Sequence, residues 1–351
     1  MPRFYFLVCI VIKEIEVLDK SFFERDTNIT AKVICDSVSE QGIRLTTFEI
    51  EYPRFIHSEV MTHRNLSKNS SSSRAIPITK MLDQIESNMA VPIYWGKNKS
   101  GMQAAEEVSK FDEAKSVLNW ELSYNYVKER VEDMVDIGLH KQVPNRLTEP
   151  FQMMKVVITG IDWDNFFNLR IHPDAQPEIC MLAYKMYQAM QVSTPQLLYG
   201  EEYHTPYVKA LRDDTGSLLY FDNDMTYLSL SDAIKLSVAS CASVSYRTEG
   251  MTLEKADKIF DMLIKAEVVH SSPLEHIATP IEEKEFCFDI PFDGSEVSYR
   301  ESDSWQDGVT HRNRQGQLCS GNLRGWVQYR HLLPNNTSWK FDFEKRMELF
   351  K

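Results

Sequence analysis

Two arginines bracket a run of hydroxyl-bearing residues between positions 64 and 74 of this sequence. Arg64 and Arg74 enclose Ser67, Asn69 and four consecutive serines, and His63 precedes them. Guanidinium groups combined with main-chain N–H groups hold anions well, so this pattern indicates an anion site. A solvated serine linker is the alternative interpretation of the same composition.

Three other places have residue types suited to chemistry. Arg170 ends an apolar stretch, where an unpaired guanidinium is costly, so it requires either a core carboxylate or a ligand as its partner. Residues 270–276 contain two histidines, a Ser-Pro pair and a glutamate, a combination mildly enriched at functional sites. Arg146 is a further basic candidate, although a surface charge at a helix end is the simpler explanation for it.

Alternation and helical spacing predict the elements that carry these residues. Strands are predicted within 32–54 and 153–159 and at 286–290. Helices are predicted at 55–62, 79–90, 104–139, 162–171, 177–190, 231–242 and 252–266. Residues 65–73 and 293–325 are expected to be polar loops, and 191–230 is expected to be irregular and to hold a boundary between two lobes. The apolar residues 4–12 favour a first strand over a signal peptide.

Composition restricts the kind of protein. The 351 residues are 43% hydrophobic and 26% charged, which is typical of a globular chain that buries a core. The net charge of −12 argues against general binding to nucleic acid polymers or anionic membranes. Six scattered cysteines without metal-ligand spacing indicate reduced thiols in a cytoplasmic protein, and no metal site is expected.

Together these segments resemble the flavin-dependent thymidylate synthase family, ThyX. Its R-H-R-x-x-S-x-N-x-x-S-x-R pattern matches residues 62–74 at His63, Arg64, Ser67, Asn69, Ser72 and Arg74. Residues 169–179 are similar to its L-R-x5-Q-x-E-I element, residues 270–276 to its H-x-[ST]-P-x-E-H element and residues 242–246 to its A-R-V-S-Y element. Residues 95–98 and 321–330 resemble an extended, phage-encoded subgroup.

The resemblance implies an α+β fold of mixed helices and antiparallel sheet, which assembles FAD between the chains of a homotetramer. In most members the S-V-S-Y and S-P-x-E-H elements precede the arginine motif, whereas they follow it here. This order implies a circular permutation, which is tolerated where the old termini lie close together. We expect two ThyX-like halves: residues 1–200, with the two arginine motifs, and residues 201–351, with the other two elements.

The resemblance also implies a role for each matching residue. Arg170 and His270 would be catalytic: Arg170 pairs with the pyrimidine ring and stabilises its negative charge, and His270 lies near the folate or the flavin edge. FAD would be bound by Thr62, His63, Arg64, Asn165 and Ser272, with Glu275 close by. The nucleotide would be bound by Glu59, Ser70, Ser72, Arg74, Arg146 and Arg170.

Four positions depart from the family pattern: Thr62 replaces Arg, Glu59 replaces Gln, Ser70 replaces Glu and Ala75 replaces Tyr. A carboxylate at Glu59 can accept a hydrogen bond from a cytosine 4-amino group, whereas uracil presents an oxygen there. Alternatively, Glu59 forms an ion pair with Arg64, one helical turn on. A pocket loosened at Ser70 and Ala75 would admit water to the activated methylene group and yield a hydroxymethyl product.

We therefore expect an enzyme that uses FAD, methylenetetrahydrofolate and NADPH as reductant to convert dUMP to dTMP. The alternatives are a dCMP or dUMP hydroxymethylase and an inactive relative that only binds nucleotide or flavin. No cysteine lies in a motif, which favours flavin chemistry over a thiolate nucleophile. The protein is expected to be a homo-oligomer in the cytoplasm, or in the host cytoplasm if a phage encodes it. Residues 328–331 are a candidate replacement for the missing Gln and Arg.

Overall fold

The computed structural model describes residues 20–101, 104, 106–245, 251–266, 269–282, 287–289, 298–300, 305–338 and 340–350. Within these residues the fold is α+β, as the sequence predicted. The helices are α1 (His57–Met61), α2 (Ile78–Ser87), α3 (Lys110–Asp136), α4 (Pro144–Leu147), α5 (Trp163–Arg170), α6 (Pro177–Gln191), α7 (Leu230–Ala242), α8 (Leu253–Ile264) and α9 (Phe343–Met347).

The strands of the described residues form several small sheets and one larger sheet. They are β1 (Thr30–Ser39), β2 (Arg44–Pro53), β3 (Ser67–Ser70), β4 (Met153–Gly160), β5 (Gln196–Leu198), β6 (Lys209–Arg212), β7 (Leu218–Phe221), β8 (Tyr227–Leu228), β9 (Ala278–Pro280), β10 (Cys287–Asp289), β11 (Ser298–Arg300), β12 (His311–Arg312), β13 (Leu318–Ser320), β14 (Leu323–Arg324) and β15 (Trp326–Gln328).

The larger sheet has the strand order β3-β4-β2-β1-β5. Its pairs are antiparallel except for the parallel pair of β1 and β5. Thr47 of β2 is paired with Thr159 of β4, and Ser67 of β3 is paired with the same Thr159. This register brings the hydroxyl-rich segment onto the edge of the sheet, beside its most buried strand.

Alternating side chains of β2 and β4 bury both faces of this sheet. Phe48, Ile50 and Ile158 point to the face covered by α5 and α6, where they form one core with Trp163 and Ile179. On the other face, Val157 of β4 packs with Cys241 and Val244 at the end of α7. The sheet is therefore sandwiched between helices from both parts of the chain.

The last third of the chain is fixed to the sheet by Trp326. This side chain is fully buried and packs with Leu45, Leu198, Ala278 and Leu323. Its indole N–H donates to the carbonyl of Ile43 over 3.1 Å. Because β15 pairs with β9, the same contact holds the segment around residues 272–280 in place.

A chain of buried hydrogen bonds crosses the second face of the sheet. Nδ1 of His204 lies 2.8 Å from Oγ of Ser37, and Nε2 of His204 lies 2.7 Å from Oγ1 of Thr47. The Thr47 and Thr159 hydroxyls are 2.6 Å apart, and the Thr159 hydroxyl lies 2.7 Å from Nδ1 of His276. Burial lowers the pKa of each histidine to about 3, so both imidazoles are neutral in the folded protein at neutral pH.

These two histidines predict a loss of stability in mild acid. They bind protons in the unfolded chain below a pKa of about 6.5 but stay neutral in the folded protein until about pH 3. The contribution of the two neutral histidines to the free energy of unfolding is therefore fully present above pH 6.5, and it is lost as the pH falls towards 3. We expect the free energy of unfolding, measured with urea, to fall by about 2 kcal/mol per histidine between pH 7 and pH 5.

Two variants separate this effect from other titrations. His276→Asn keeps a nitrogen near the position of Nδ1 and should remove about half of the pH-dependent loss that the two histidines cause. His172→Ala changes an exposed histidine and should leave the loss intact. A wild-type unfolding energy that is equal at the two pH values would contradict the prediction.

Three sequence predictions of local structure are wrong. Residues 67–70 are strand β3 and not loop, because their backbone pairs with β4. The 191–230 segment is not irregular throughout, since β5 joins the main sheet and β6, β7 and β8 form a sheet of their own. The 293–325 segment is not simply a surface loop, because β13 and β14 lie within it and Cys319, Ser320 and Leu323 are buried.

Some predictions are not tested. Residues 4–12 and Tyr246 lie outside the described residues. The division into halves at residue 200 and the circular permutation stay predictions. Among the described residues, no helix has the length and apolar character needed to cross a membrane.

Candidate functional site

Arg170, the last residue of α5, lies against the hydroxyl-rich segment at residues 62–74, which we call the hallmark segment. Its Nε donates to Nε2 of His63 over 2.8 Å, and Nη2 lies 3.4 Å from Oγ1 of Thr62. The ring of His63 packs edge-to-face on Phe166, with centroids 4.8 Å apart. Phe166 is buried, so α5 holds both partners in place and the two arginine motifs meet.

Glu59 of α1 is the carboxylate partner of Arg170. Its Oε2 lies 3.6 Å from Nη1 of Arg170. The alternative expectation, an ion pair of Glu59 with Arg64, is wrong because α1 ends at Met61 and the chain turns before Arg64. Arg170 therefore has a carboxylate and an imidazole as neighbours, and it remains partly exposed.

His63 is held in its neutral form by its surroundings. Burial and the positive charges of Arg170 and Lys68 lower its pKa to about 4. Nε2 of His63 accepts a hydrogen bond from the Nε–H of Arg170, so Nε2 carries no proton. The ring proton of His63 therefore lies on Nδ1 at neutral pH. His63 therefore offers one N–H donor to a neighbouring group.

A cleft of about 690 Å³ opens beside Arg170 and Glu59. Its other lining residues include three aromatic side chains and the start of α6: Phe55, Tyr94, Trp120, Gln176 and Glu178. This volume is in the range of small-molecule sites. Aromatic walls with one guanidinium–carboxylate pair suit a planar ring that carries hydrogen-bonding groups.

Glu178 fixes one wall of this cleft. Its buried carboxylate accepts the main-chain N–H of Ile93 over 3.0 Å and the side-chain amide of Gln176 over 3.1 Å. Burial raises the pKa of Glu178. These bonds hold the Gln176 side chain in one orientation at the cleft.

Asn69 of β3 joins the hallmark segment to two distant elements. Its Nδ2 donates to the carbonyl of Cys241 at the end of α7 over 2.5 Å, and its Oδ1 accepts the hydroxyl of Ser272 over 3.1 Å. Nearby, the main-chain N–H of Ser72 donates to Oγ of Ser245 over 2.7 Å. The elements at residues 242–246 and 270–276 therefore contact the hallmark segment directly.

Lys68 is the residue of the hallmark segment that interacts with the charge of Glu275. Its ammonium group donates to the main-chain carbonyls of His63 and Leu66. Burial lowers the pKa of Lys68 to about 8, although the nearby Glu275 carboxylate acts in the opposite direction. The sequence does not predict a role for Lys68, because nothing in a polar segment indicates that one of its lysines is partly buried.

The expected phosphate arginines lie elsewhere on this chain. Arg74 and Arg146 both line a second recess of about 440 Å³, together with Met134, Gln142, Val143 and Leu147. Nη1 of Arg146 pairs with Glu149 at 2.9 Å, whereas Arg74 has no ion pair with any described residue. Ser71 and Ser73 line a third cavity of about 250 Å³, while Ser70 ends β3.

Three further predicted residues are exposed at the surface. The side chains of Arg64, Asn165 and His270 have no hydrogen bond or ion pair with the described residues. Asn165 lies on α5 and Arg64 follows α1, close in the chain to Arg170 and His63. These groups remain free to bind a ligand or a second subunit.

Residues of the segment from 320 to 330 contact the hallmark segment and Glu275. The Asn322 side chain accepts the hydroxyl of Ser67 over 3.2 Å and donates to the carbonyl of Asn65 over 2.9 Å. Nη1 of Arg330 contacts Oε1 of Glu275 at 2.5 Å. Residues 328–331 were a candidate part of the site, but the contact partners could not be read from a separation of more than fifty residues.

Donor groups on and near the hallmark segment fit the flavin that the resemblance implies. Exposed Arg64, Ser272 and Asn165 offer a guanidinium, a hydroxyl and an amide, and neutral His63 offers an N–H. The thiols of Cys35 and Cys180 do not fit a nucleophilic role, since burial raises the pKa of Cys35 to about 12 and that of Cys180 to about 11. In the described part of the chain, no three His, Cys, Asp or Glu side chains are grouped to hold a metal ion.

Comparisons with solved structures give a weak likeness. Two structures of the UMP/dUMP methylase PolB from Streptomyces cacaoi, one bound with 5-Br UMP and one with 5-Br dUMP, share 17% sequence identity with this chain. They cover 47% of it and 89% and 90% of their own chains, with TM-scores of 0.40 and 0.39. This similarity is too low to transfer a function. No curated protein matches the chain.

The family comparison is more specific. Residues 43–196 match the model of the family described as "Thymidylate synthase complementing protein", Thy1. The matched segment contains the hallmark segment, which contacts Arg170, and it contains Arg170 and the start of α6, which line the cleft. The matched family is the one that the motifs of this sequence resemble, and the match extends over residues 43–196 of the chain.

Proposed function

We propose that this chain is a flavin-dependent enzyme that transfers a one-carbon unit from methylenetetrahydrofolate to C5 of a deoxypyrimidine monophosphate, converting dUMP to dTMP. The observation that carries the proposal is the contact of Arg170 with His63 at the 690 Å³ cleft, inside the segment that matches Thy1. The site geometry supports a planar, polar ring as the ligand.

In this proposal each side chain has a defined task. Arg170 binds a carbonyl oxygen of the pyrimidine and stabilises the negative charge that develops when C5 becomes a nucleophile. His63 is neutral and held by Arg170, and its Nδ1–H donates a hydrogen bond to the cofactor. Arg64, Asn165, Ser272 and Glu275 bind FAD, and His270 lies at the folate or flavin edge.

The overall reaction of this proposal is a reductive methylation of C5 of dUMP. The methylene carbon forms a bond to C5 and leaves its two nitrogen atoms on the folate, while C5 loses a proton. The hydride that turns the methylene group into a methyl group would come from flavin bound in its reduced form, and NADPH would reduce the oxidised flavin again. The sum is dUMP, methylenetetrahydrofolate, NADPH and a proton giving dTMP, tetrahydrofolate and NADP⁺.

The phosphate would be bound at a subunit interface. Arg74 and Arg146 line a separate recess of this chain, together with residues from α3 and α4. We propose that the protein is a homo-oligomer in which a second copy brings this recess to the cleft. Ser70 and Ser72 would then bind the same nucleotide.

The proposal is tested by product analysis. Purified protein is incubated with FAD, methylenetetrahydrofolate, NADPH and either dUMP or dCMP. The molecular mass of the nucleotide product is then measured by mass spectrometry. We expect dUMP to gain a methyl group with one NADPH consumed per product. Unchanged nucleotides from a protein that retains FAD would support the inactive, binding-only relative instead.

A pyrimidine hydroxymethylase is the second candidate, and the position of Glu59 favours it. This carboxylate lines the cleft beside Arg170, where it can accept the 4-amino group of cytosine. In that reaction water adds to the methylene group, so the product gains a hydroxymethyl group and no reductant is consumed. A hydroxymethyl product without NADPH oxidation would therefore replace the first proposal.

The base preference gives a prediction for Glu59→Gln. If the carboxylate accepts the 4-amino group, the variant should lower kcat/KM for dCMP relative to dUMP by about tenfold to a hundredfold, because a charged hydrogen bond is replaced by a neutral one. Glu149→Gln changes a carboxylate that pairs with Arg54 and Arg146 outside this cleft, and serves as the matched control for loss of charge. An unchanged ratio for Glu59→Gln would rule out Glu59 as the residue that selects the base.

A further inference from the structure

Arg330 reaches the Glu275 carboxylate from a rigid part of the last third of the chain. It lies in a 3-10 helix (Tyr329–Leu332) directly after β15. The pairing of β15 with β9 and the main-chain bond from Tyr329 N–H to the carbonyl of Ile277, at 2.8 Å, set its position. Nη1 of Arg330 then contacts Oε1 of Glu275 at 2.5 Å.

Gln328, two residues earlier, holds the neighbouring segments together. Its buried side-chain amide donates to Oδ1 of Asn322 over 2.8 Å, and it lies 3.3 Å from Oγ of Ser67 and 3.4 Å from the main-chain oxygen of Glu275. Gly321 permits this approach, because a Cβ atom there would lie 2.5 Å from Oε1 of Gln328. The hallmark segment and Glu275 are therefore positioned by the same strand end.

The other oxygen of the carboxylate is left for a ligand. Oε2 of Glu275 accepts no hydrogen bond from the described residues, and the side chain is 19% exposed. The Glu275 residue lies three positions after Ser272, whose hydroxyl contacts the hallmark segment. A carboxylate with one oxygen fixed and one free suits a ligand that offers an N–H or hydroxyl donor.

We propose that Arg330 is a positioning residue for Glu275, holding one carboxylate oxygen so that the other accepts a hydrogen bond from a ring N–H or a ribityl hydroxyl of bound flavin. The inference rests on the proposed function for the identity of the ligand. It extends the site beyond residues 43–196, the segment that matches the family.

The pairing also has a consequence that does not depend on any ligand. Lys68 interacts with the Glu275 carboxylate, His63 and His57 lie close enough to Lys68 to feel its charge, and burial lowers the pKa of Lys68 to about 8. Loss of the Arg330 charge leaves the Glu275 carboxylate to interact more strongly with Lys68. The pKa of Lys68 must then rise.

Two measurements on the full chain test the proposal. The first is the dissociation constant of FAD, followed by the flavin spectrum. Arg330→Gln should weaken FAD binding about tenfold to a hundredfold, Arg330→Lys should restore most of it, and the double variant Arg330→Gln/Glu275→Gln should bind no worse than Glu275→Gln alone. Arg324→Gln is the matched control, since Arg324 lies in the same segment but pairs with Asp162.

The second measurement is the pH dependence of Lys68 acetylation by acetic anhydride, read by mass spectrometry. The midpoint for Lys68 should lie near pH 8 in wild type and in Arg324→Gln, and at higher pH in Arg330→Gln. Wild-type FAD affinity in Arg330→Gln, or an unmoved Lys68 midpoint, would overturn the positioning role. If wild type binds no FAD, the proposed function fails, and the Lys68 midpoint still decides whether Arg330 controls Glu275.

Discussion

Replacing Arg170 with glutamine is expected to lower kcat/KM for the nucleotide by about 100-fold to 1,000-fold, the usual cost of removing one preorganised donor to developing negative charge. The guanidinium lines the cleft, donates to His63 and pairs with Glu59. Glutamine keeps a hydrogen-bond donor but loses the charge. The loss should therefore appear mainly in kcat, because the charge acts on the activated ring.

Two further readings of the same variant separate chemistry from folding. The Arg170 charge contributes to the lowered pKa of His63, so in Arg170→Gln the His63 pKa, measured by NMR, should move up from about 4. Arg324→Gln removes a guanidinium of similar exposure that lies outside the cleft and should retain wild-type activity. Full activity in Arg170→Gln would exclude Arg170 as the residue that stabilises the ring.

Replacing Trp326 with alanine is expected to lower the free energy of unfolding by about 3–5 kcal/mol, the cost of removing a large buried aromatic side chain. Trp326 is fully buried between the sheet and β9, and its indole N–H is paired with Ile43. The variant should also weaken FAD binding, because Gln328 and Arg330 follow on the same strand end. Urea unfolding measures the stability, and Trp326→Phe gives a milder loss if the alanine variant does not fold.

Trp305→Ala is the matched control for that experiment. This tryptophan is 44% exposed, so its removal should change the unfolding energy by no more than about 0.5 kcal/mol. A loss below about 1 kcal/mol in Trp326→Ala would mean that the last third of the chain folds without its anchor on the sheet.

The central strands could be predicted from the sequence because their pattern is local. In the sequence, Phe48, Ile50 and Tyr52 alternate with smaller or polar residues. In the structure these three side chains lie in the same core on one face of the sheet. β3 could not be predicted this way, since Ser67, Lys68, Asn69 and Ser70 have no strand preference. Pairing with β4 supplies the hydrogen bonds that make this segment a strand, and that pairing is a tertiary effect.

The candidate site shows the same division. The motifs identified Arg170 and His63, and burial required a partner for Arg170, but the sequence did not reveal that both Glu59 and His63 would contact it. Contacts made by Asn322 and Arg330 lie beyond any local pattern, because they depend on how β15 pairs with β9. Arg74 and Arg146 were predicted with the same site, yet on this chain they line another recess.

We propose that Arg170, His63 and Ser272 belong to one site that holds a flavin beside a pyrimidine ring. Titration of the FAD-loaded protein with dUMP and dCMP, followed in the visible spectrum, tests it most directly. We expect the flavin band to shift when one of the two nucleotides is added, and we expect this shift to be absent in Arg170→Gln and present in Arg324→Gln. A protein that takes up no FAD, or a flavin band that responds to neither nucleotide, would contradict it.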